Sequence, residues 1–239
     1  MILVIGTLIV LVLIFGPSLW VKFIMRKYSS EKPEMPGTGG ELAEHLIERF
    51  SLEDVTVEVT DVGDHYDPIE KKVRLSQAHY ECKSLTAIAI AAHEVGHAIQ
   101  DQQGDKRLAT RTKMIPVVNN VARWSAFIIS LSPVIGIITR HPMPFSFLLL
   151  LGLSGFIARM VIHAVTLPIE FDASFSKALP LLREGEYVSQ SDEKAVSHIL
   201  RAAALTYVSA AMADILNLSR WITVSYTHLR AHETSIDLV

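Results

Sequence analysis

The sequence predicts a mainly α-helical membrane protein with a small α+β soluble domain and about four transmembrane helices. Three observations carry that expectation. Half of the 239 residues are hydrophobic, and the mean hydropathy is +0.33. The apolar residues gather into runs near the roughly 20 residues that cross a bilayer. Between the first and second runs lies a polar stretch, residues 26–113, patterned as short strands and helices.

The first apolar run, Ile2 to about Met25, opens the chain. No Lys or Arg precedes it, no small-residue cleavage site follows, and Gly16-Pro17-Ser18 is succeeded by bulky Leu19-Trp20. A retained anchor is expected rather than a cleaved signal peptide. A turn-rich linker, Ser29 to Gly40, leads into Glu41–Phe50, a short amphipathic helix. Asp54–Thr60 alternates apolar and polar residues as a half-buried strand does. Asp61–Pro68 reads as a loop and Lys71–Ser76 as a second strand, with Val73–Leu75 the expected exposed edge. A longer helix runs from Ser84, its N-cap, to Gln103, with Gly104 as its stop.

Residues 117–139 and 147–167 are two further apolar runs, joined by Arg140-His141-Pro142-Met143-Pro144. The first has a polar entry at Asn119, Asn120 and Arg123. A fourth run, about Ala203–Thr223, is weaker because it holds Asp214 and Arg220. The expected divisions are an anchor at 1–25, a soluble domain at 26–113, a membrane hairpin at 114–168, a helical segment at 169–202, and a last span at 203–223. Lys22, Arg26, Lys27 and Lys32 follow the first span; Lys106, Arg107, Arg111, Lys113 and Arg123 precede or open the second; Lys177, Arg183, Lys194 and Arg201 lie between the third and fourth. All these clusters fall on one side, predicted cytoplasmic, with the N-terminus outside.

A net charge of −3 and a pI near 6.4 give no signature of nucleic-acid binding. The single cysteine, Cys82, excludes a disulfide within the chain and a cysteine-based zinc cluster.

The richest motif is Ala91-Ala92-His93-Glu94-Val95-Gly96-His97-Ala98-Ile99-Gln100. Four residues apart on a helix, His93 and His97 leave the same face one turn apart, which suits two nitrogens converging on one zinc. Glu94 falls to the side, where a carboxylate can hold and deprotonate a water at the metal. A small sheet ahead of such a helix gives the soluble domain a zincin-like character and offers an edge to an extended peptide. Apolar residues bracket the pair, unlike a surface helix with solvated histidines, and Gly96 leaves room for another backbone.

A catalytic zinc needs a third protein ligand. A histidine six residues after His97 is ruled out, because that position is Gln103. From Lys106 to Ile169 there is no Asp or Glu, and the first that follows is Glu170, in Leu167-Pro168-Ile169-Glu170-Phe171-Asp172-Ala173-Ser174. Two membrane crossings return the chain to the side it left, so Glu170 can meet His93 and His97. A helix-terminal charge is the plain alternative for Glu170. Asp64 and His65 precede the second strand and either line the cleft or form a hydrogen-bonded turn. Arg159 and His163 read as a buried, satisfied pair, with His163 an alternative support for the metal shell. Tyr207 is a candidate oxyanion donor, and Asp214 an unexplained acid.

On these motifs, with Asp64-His65-Tyr66-Asp67-Pro68, Arg74-Leu75-Ser76 and Ala203-Ala204-Leu205-Thr206-Tyr207, the chain resembles the YugP-type bacterial neutral zinc metallopeptidases over about residues 1–223. The resemblance implies a multi-pass protein of a bacterial membrane, one Zn2+ per chain, and a peptide substrate. The layout parallels the HtpX-like and CAAX prenyl-protease families, which follow the ligand glutamate with an aspartate four residues on. Ser174 stands there in this chain, with Asp172 two residues on, which puts the partners of His93 and His97 in question. From Val224 the tail fits neither the family nor a span; Val224–Thr234 back-translates to a transposon-end sequencing adapter, so 224–239 is expected to be non-native.

The expected function is a membrane zinc endopeptidase with Glu94 as general base. Two rivals stand beside it: a non-proteolytic adaptor or regulator clamped by structural zinc, and an intramembrane protease with Asp214 as third ligand. The second requires the His93 helix inside the bilayer, yet Glu81, Lys83 and Asp101 bracket too short an apolar run.

Overall fold

The structure, a computed structural model, describes residues 2–139 and 142–216. The turn residues Arg140 and His141 lie outside the described residues, as does everything from Asn217 onward, including Arg220, the end of the fourth run and the tail. The architecture is the predicted one, mainly helical with one small sheet. In chain order come α1 (Ile2–Lys27), α2 (Gly39–Arg49), β1 (Thr56–Val59), β2 (His65–Asp67), β3 (Lys72–Leu75), α3 (Gln77–Glu81) and α4 (Leu85–Gln102). Then follow α5 (Lys106–Thr139), α6 (Pro142–Phe171), a π-helical segment (Asp172–Ala178), α7 (Leu179–Glu184) and α8 (Glu193–Ala204). After a turn at Leu205, helix resumes over 206–216.

Among the described residues, four helices are long and apolar enough to cross a membrane: Leu8–Lys27, Lys106–Ser132, Phe147–Glu184 and Glu193–Leu216. The chain forms two compact units. Among the described residues, one comprises 2–15, 113–139, 142–164 and 208–216; the other comprises Gly16–Thr112 and Val165–Tyr207.

In the first unit, α5 and α6 approach through small residues. A Cβ on Gly152 would collide with the Ile129 side chain, and one on Gly155 would stand 2.5 Å from Ser125 Cβ. Close backbone approach of this kind is how apolar helices gain dispersion contact where lipid removes the hydrophobic drive. Arg159 Nε donates to Asp214 Oδ2 at 2.8 Å, and His163 Nε2 lies 3.0 Å from the same oxygen. The expected buried pair of Arg159 and His163 is therefore a triad in which Arg159 is exposed rather than buried, and Asp214 has its explanation as the shared partner. This also removes Asp214 as a metal ligand.

The second unit is organised around α4. Every residue from Leu85 to Gln100 is buried, which accounts for the apolar bracketing of the motif. Ser84 Oγ accepts from Ala87 N at 3.1 Å, capping the first turn, and Gly104 adopts φ +68°, which ends the helix cleanly. Leu42 and Leu46 of α2, Leu182 of α7, and Val196, Ile199 and Leu200 of α8 join Val95 and Ile99 in one core. Burying each such side chain contributes about 1.5–3 kcal/mol. Thr38 and Glu41 form a capping box that starts α2 two residues earlier than the amphipathic pattern suggests.

The sheet differs from the expectation in two ways. The order is β1-β3-β2, with β1 parallel and β2 antiparallel to β3. Val73–Leu75 is thus central and hydrogen-bonded on both sides, not an edge. The third strand, His65–Asp67, lies inside the segment expected to be loop, and it is an edge. Three residues are too few to display an alternation, so the pattern could not announce it. Arg74, facing Glu58, Asp67 and Glu70 at 2.5, 2.8 and 2.5 Å, ties the three strands together from the central one.

Candidate metal centre

Glu170 does come back to the histidines. Its Oε2 lies 3.1 Å from His93 Nε2 and 3.3 Å from His97 Nε2, and all three side chains are buried. Among the described residues, these three are the group of His, Cys, Asp and Glu arranged to hold a metal ion, with ligand atoms all within 4.8 Å of one another. Ligands at about 2.0–2.1 Å from a tetrahedral zinc stand about 3.3–3.4 Å apart, which is near the observed spacing.

The partners of the other ring nitrogens decide whether a cation belongs there. Gln100 Nε2 donates to Ile169 O at 3.0 Å and Asp172 Oδ2 at 2.7 Å, which turns its carbonyl Oε1 toward His97 Nδ1 at 2.9 Å. His97 Nδ1 must therefore carry a hydrogen. Ser174 Oγ donates to Leu200 O at 3.1 Å and so accepts from His93 Nδ1, also at 3.1 Å. With both Nδ1 positions committed as donors, the neutral rings turn bare Nε2 lone pairs toward a carboxylate oxygen. Three lone pairs meeting in a buried space repel unless a cation or added protons sit among them. The donor set fits zinc, which takes nitrogen and oxygen ligands and keeps one position open in catalytic sites.

Close backbone packing makes the arrangement. A Cβ on Gly96 would fall 2.9 Å from Ala173 O and 3.3 Å from Lys177 Cβ, so the π-helical segment lies directly against the motif helix. Pro168, two residues before Glu170, interrupts the α-helical ladder, and the chain adopts π geometry from Asp172.

Glu94 is buried beside the cluster, and burial pushes its carboxyl up to about 7. It borders a cavity of about 270 Å³ whose lining includes His93, His97, Glu170, Arg111, Asp64 and His79. Arg111 Nη2 donates to Tyr207 Oη at 2.5 Å and stands 4.0 Å from Glu170 Oε1, opposite the oxygen that faces the histidines. The buried Arg111 Nε has no hydrogen-bond partner among the described residues.

The family model described as "Putative neutral zinc metallopeptidase" matches residues 2–226. The chain belongs to that family. It is also 34% identical over 215 residues to the "Putative membrane protease YugP" of Bacillus subtilis (strain 168), covering 87% of this chain and 92% of that protein. No solved structure matches.

Within this chain, Asp64, His65 and Tyr207 line the cavity, and Asp64 also accepts hydrogen bonds from Ser76 and faces His79. Asp172 reaches His97 only through Gln100. His163 is bonded to Asp214 and is absent from the cavity wall. Reasoning from sequence missed Gln100, Arg111 and His79. Gln100 carried one signal, a polar side chain a turn beyond His97 on an otherwise apolar helix. His79 Nδ1 lies 2.7 Å from Asp64 Oδ2, and nothing in the local pattern announces that pair. For Asp64, burial acts to raise the carboxyl, but bonds from His79 and Ser76 outweigh it and hold it below the ordinary range.

Proposed function

We propose that the protein is a zinc-dependent endopeptidase of a bacterial membrane, with His93, His97 and Glu170 as metal ligands and Glu94 as general base. The observation that carries this is the pair of bare imidazole nitrogens turned on one carboxylate oxygen, with a second buried carboxylate beside them at a cavity. Bound zinc would supply a Lewis acid that acidifies a water and polarises a peptide carbonyl.

The remaining chemistry belongs to the chain. Glu94, tuned toward neutrality by burial, takes a proton from the attacking water and delivers it to the leaving amine nitrogen. Gln100 and Ser174 fix the tautomers of His97 and His93. Arg111 holds Tyr207 in the cavity lining, where the phenol and guanidinium supply donors to the oxygen that gains charge. The substrate would lie extended along β2, the edge strand whose Tyr66 lines the cavity.

The layout supported by the four apolar helices and the basic clusters keeps the divisions 1–25, 26–113, 114–168, 169–202 and 203–223, with the site on the cytoplasmic side. Three protein ligands beside a cavity suit a catalytic site better than a structural clamp, which closes with a fourth. Glu94→Gln is expected to bind zinc at the wild-type level and to lose proteolysis, while Glu170→Ala loses the metal. Peptide cleavage by Glu94→Gln at the wild-type rate would refute the mechanism. A zinc-loaded protein inert toward every unfolded substrate would favour the adaptor.

A further inference from the structure

We infer that the substrate is a membrane-anchored polypeptide, cut close to where it leaves the bilayer, with an apolar side chain seated against Val21 and Met25. This rests on the proteolytic function proposed above.

The cavity beside Glu94 has a lining of two unlike kinds. Asp64, His65 and Tyr66 form a polar rim from β2 and its approach. The apolar part of the lining is Val21 and Met25 of α1, Ile90 of α4, and Ala203 at the end of α8. All belong to one compact unit. Both α1 and the helical run through α8 are among the segments apolar enough to span, Leu8–Lys27 and Glu193–Leu216. A wall of the cleft is therefore made by segments that also meet the requirements for entering the membrane.

Charge fixes the depth. Lys22, Arg26 and Lys27 flank Met25 along α1, and basic residues at a span's end sit at headgroup level. Val21 and Met25 are one helical turn apart on the same face, about 6 Å along the axis. The end of α1 is also fastened to the motif helix: Thr86 Oγ1 donates to Met25 O at 3.0 Å, and Thr86 N donates to Tyr28 O at 3.2 Å. From Thr86 to His93 is seven residues of continuous helix, an axial distance of about 10 Å. An extended chain rising about 3.3 Å per residue covers that in roughly three residues. A polypeptide leaving the bilayer beside α1 reaches the ligand group almost at once, and its last apolar side chain meets an apolar wall.

The test uses the full chain reconstituted in lipid nanodiscs. Single-span model proteins carry one reporter sequence placed about two, six or fifteen residues past the span end, and the same sequence is also offered as a soluble peptide. Cleavage is expected to be about ten-fold or more faster at the two near positions than at the far one or in solution. Met25→Gln and, separately, Val21→Gln should lower near-position cleavage of a reporter with an apolar residue by about ten-fold, the scale of a lost apolar subsite contact. Zinc content should be unchanged in both. Equal rates at every spacing and in solution would overturn this inference and leave the protease standing. No cleavage of any reporter by zinc-loaded protein would overturn both.

Discussion

Replacing Gly96 with alanine tests the coupling between backbone packing and the metal site. On helix propensity alone, the substitution should stabilise α4 by about 1 kcal/mol. The structure opposes that gain. A Cβ at position 96 would sit 2.9 Å from Ala173 O, about 0.5 Å short of the 3.4 Å at which ordinary contact begins. The obstructing atom is backbone, in a segment continuous with Glu170 and Ser174, so no side-chain rotation relieves it. Overpacking of this order costs about 1–3 kcal/mol. Sound metal sites hold their ligand distances within about 0.2 Å, so a displacement near 0.5 Å, even half absorbed, exceeds the tolerance. Gly96→Ala is therefore expected to melt lower than wild type in detergent and to bind zinc about ten-fold more weakly or worse. Thermal unfolding followed by tryptophan fluorescence, beside a zinc competition titration, measures both. A variant that melts higher and keeps wild-type zinc affinity would show that the π-helical segment is not set by contact with Gly96.

Three further outcomes follow from the site's hydrogen bonds. Gln100→Ala removes the acceptor of His97 Nδ1–H and leaves Asp172 without its amide partner; zinc affinity should fall about 10–100-fold, and unchanged affinity would refute the tautomer assignment. The folded-state pKa of Asp64 is depressed, so the stability it contributes is complete above the ordinary carboxylate value of 3.8 and is lost as pH falls through the lower folded value. Asp64→Asn should flatten that acid limb of the melting curve, and an unchanged limb would assign it to other groups. Removing zinc with a chelator should lower the melting temperature, because at 100-fold excess over Kd the metal contributes about 2.7 kcal/mol; insensitivity to chelation in wild type would count against the site.

Much of the fold was legible because its signals are local. Ser84 and Gly104 bound α4 as their chemistry dictates, and long apolar runs mark α1, α5 and α6 without reference to anything distant. The sheet was legible only where a strand is long enough to alternate. His65–Asp67 is too short and too polar, and its pairing comes from β3 rather than from its own composition. The same cause misassigned the edge: two strands in sequence imply two edges, and a third inserted between them in the chain makes the last one central.

The candidate metal ligands were legible for a different reason, through elimination. Two histidines at helical spacing require a third ligand, and the long stretch without acid leaves Glu170 as the first carboxylate to follow it. Their supports obey no such rule. An imidazole Nδ1–H is satisfied by any acceptor at about 3 Å, so a carboxylate, an amide oxygen and a hydroxyl are equivalent to it. Ser174 stands four residues after Glu170, where the parallel families carry an aspartate, and its hydroxyl makes the contact to His93. Asp172 turns instead to Gln100, which passes the orientation on to His97. Geometry constrains the acceptor atom and leaves its residue type open. Chemistry constrains the ligand itself, since only nitrogen, carboxylate oxygen or thiolate binds zinc well. That asymmetry is why the centre of this site is written in residue types and its periphery only in coordinates.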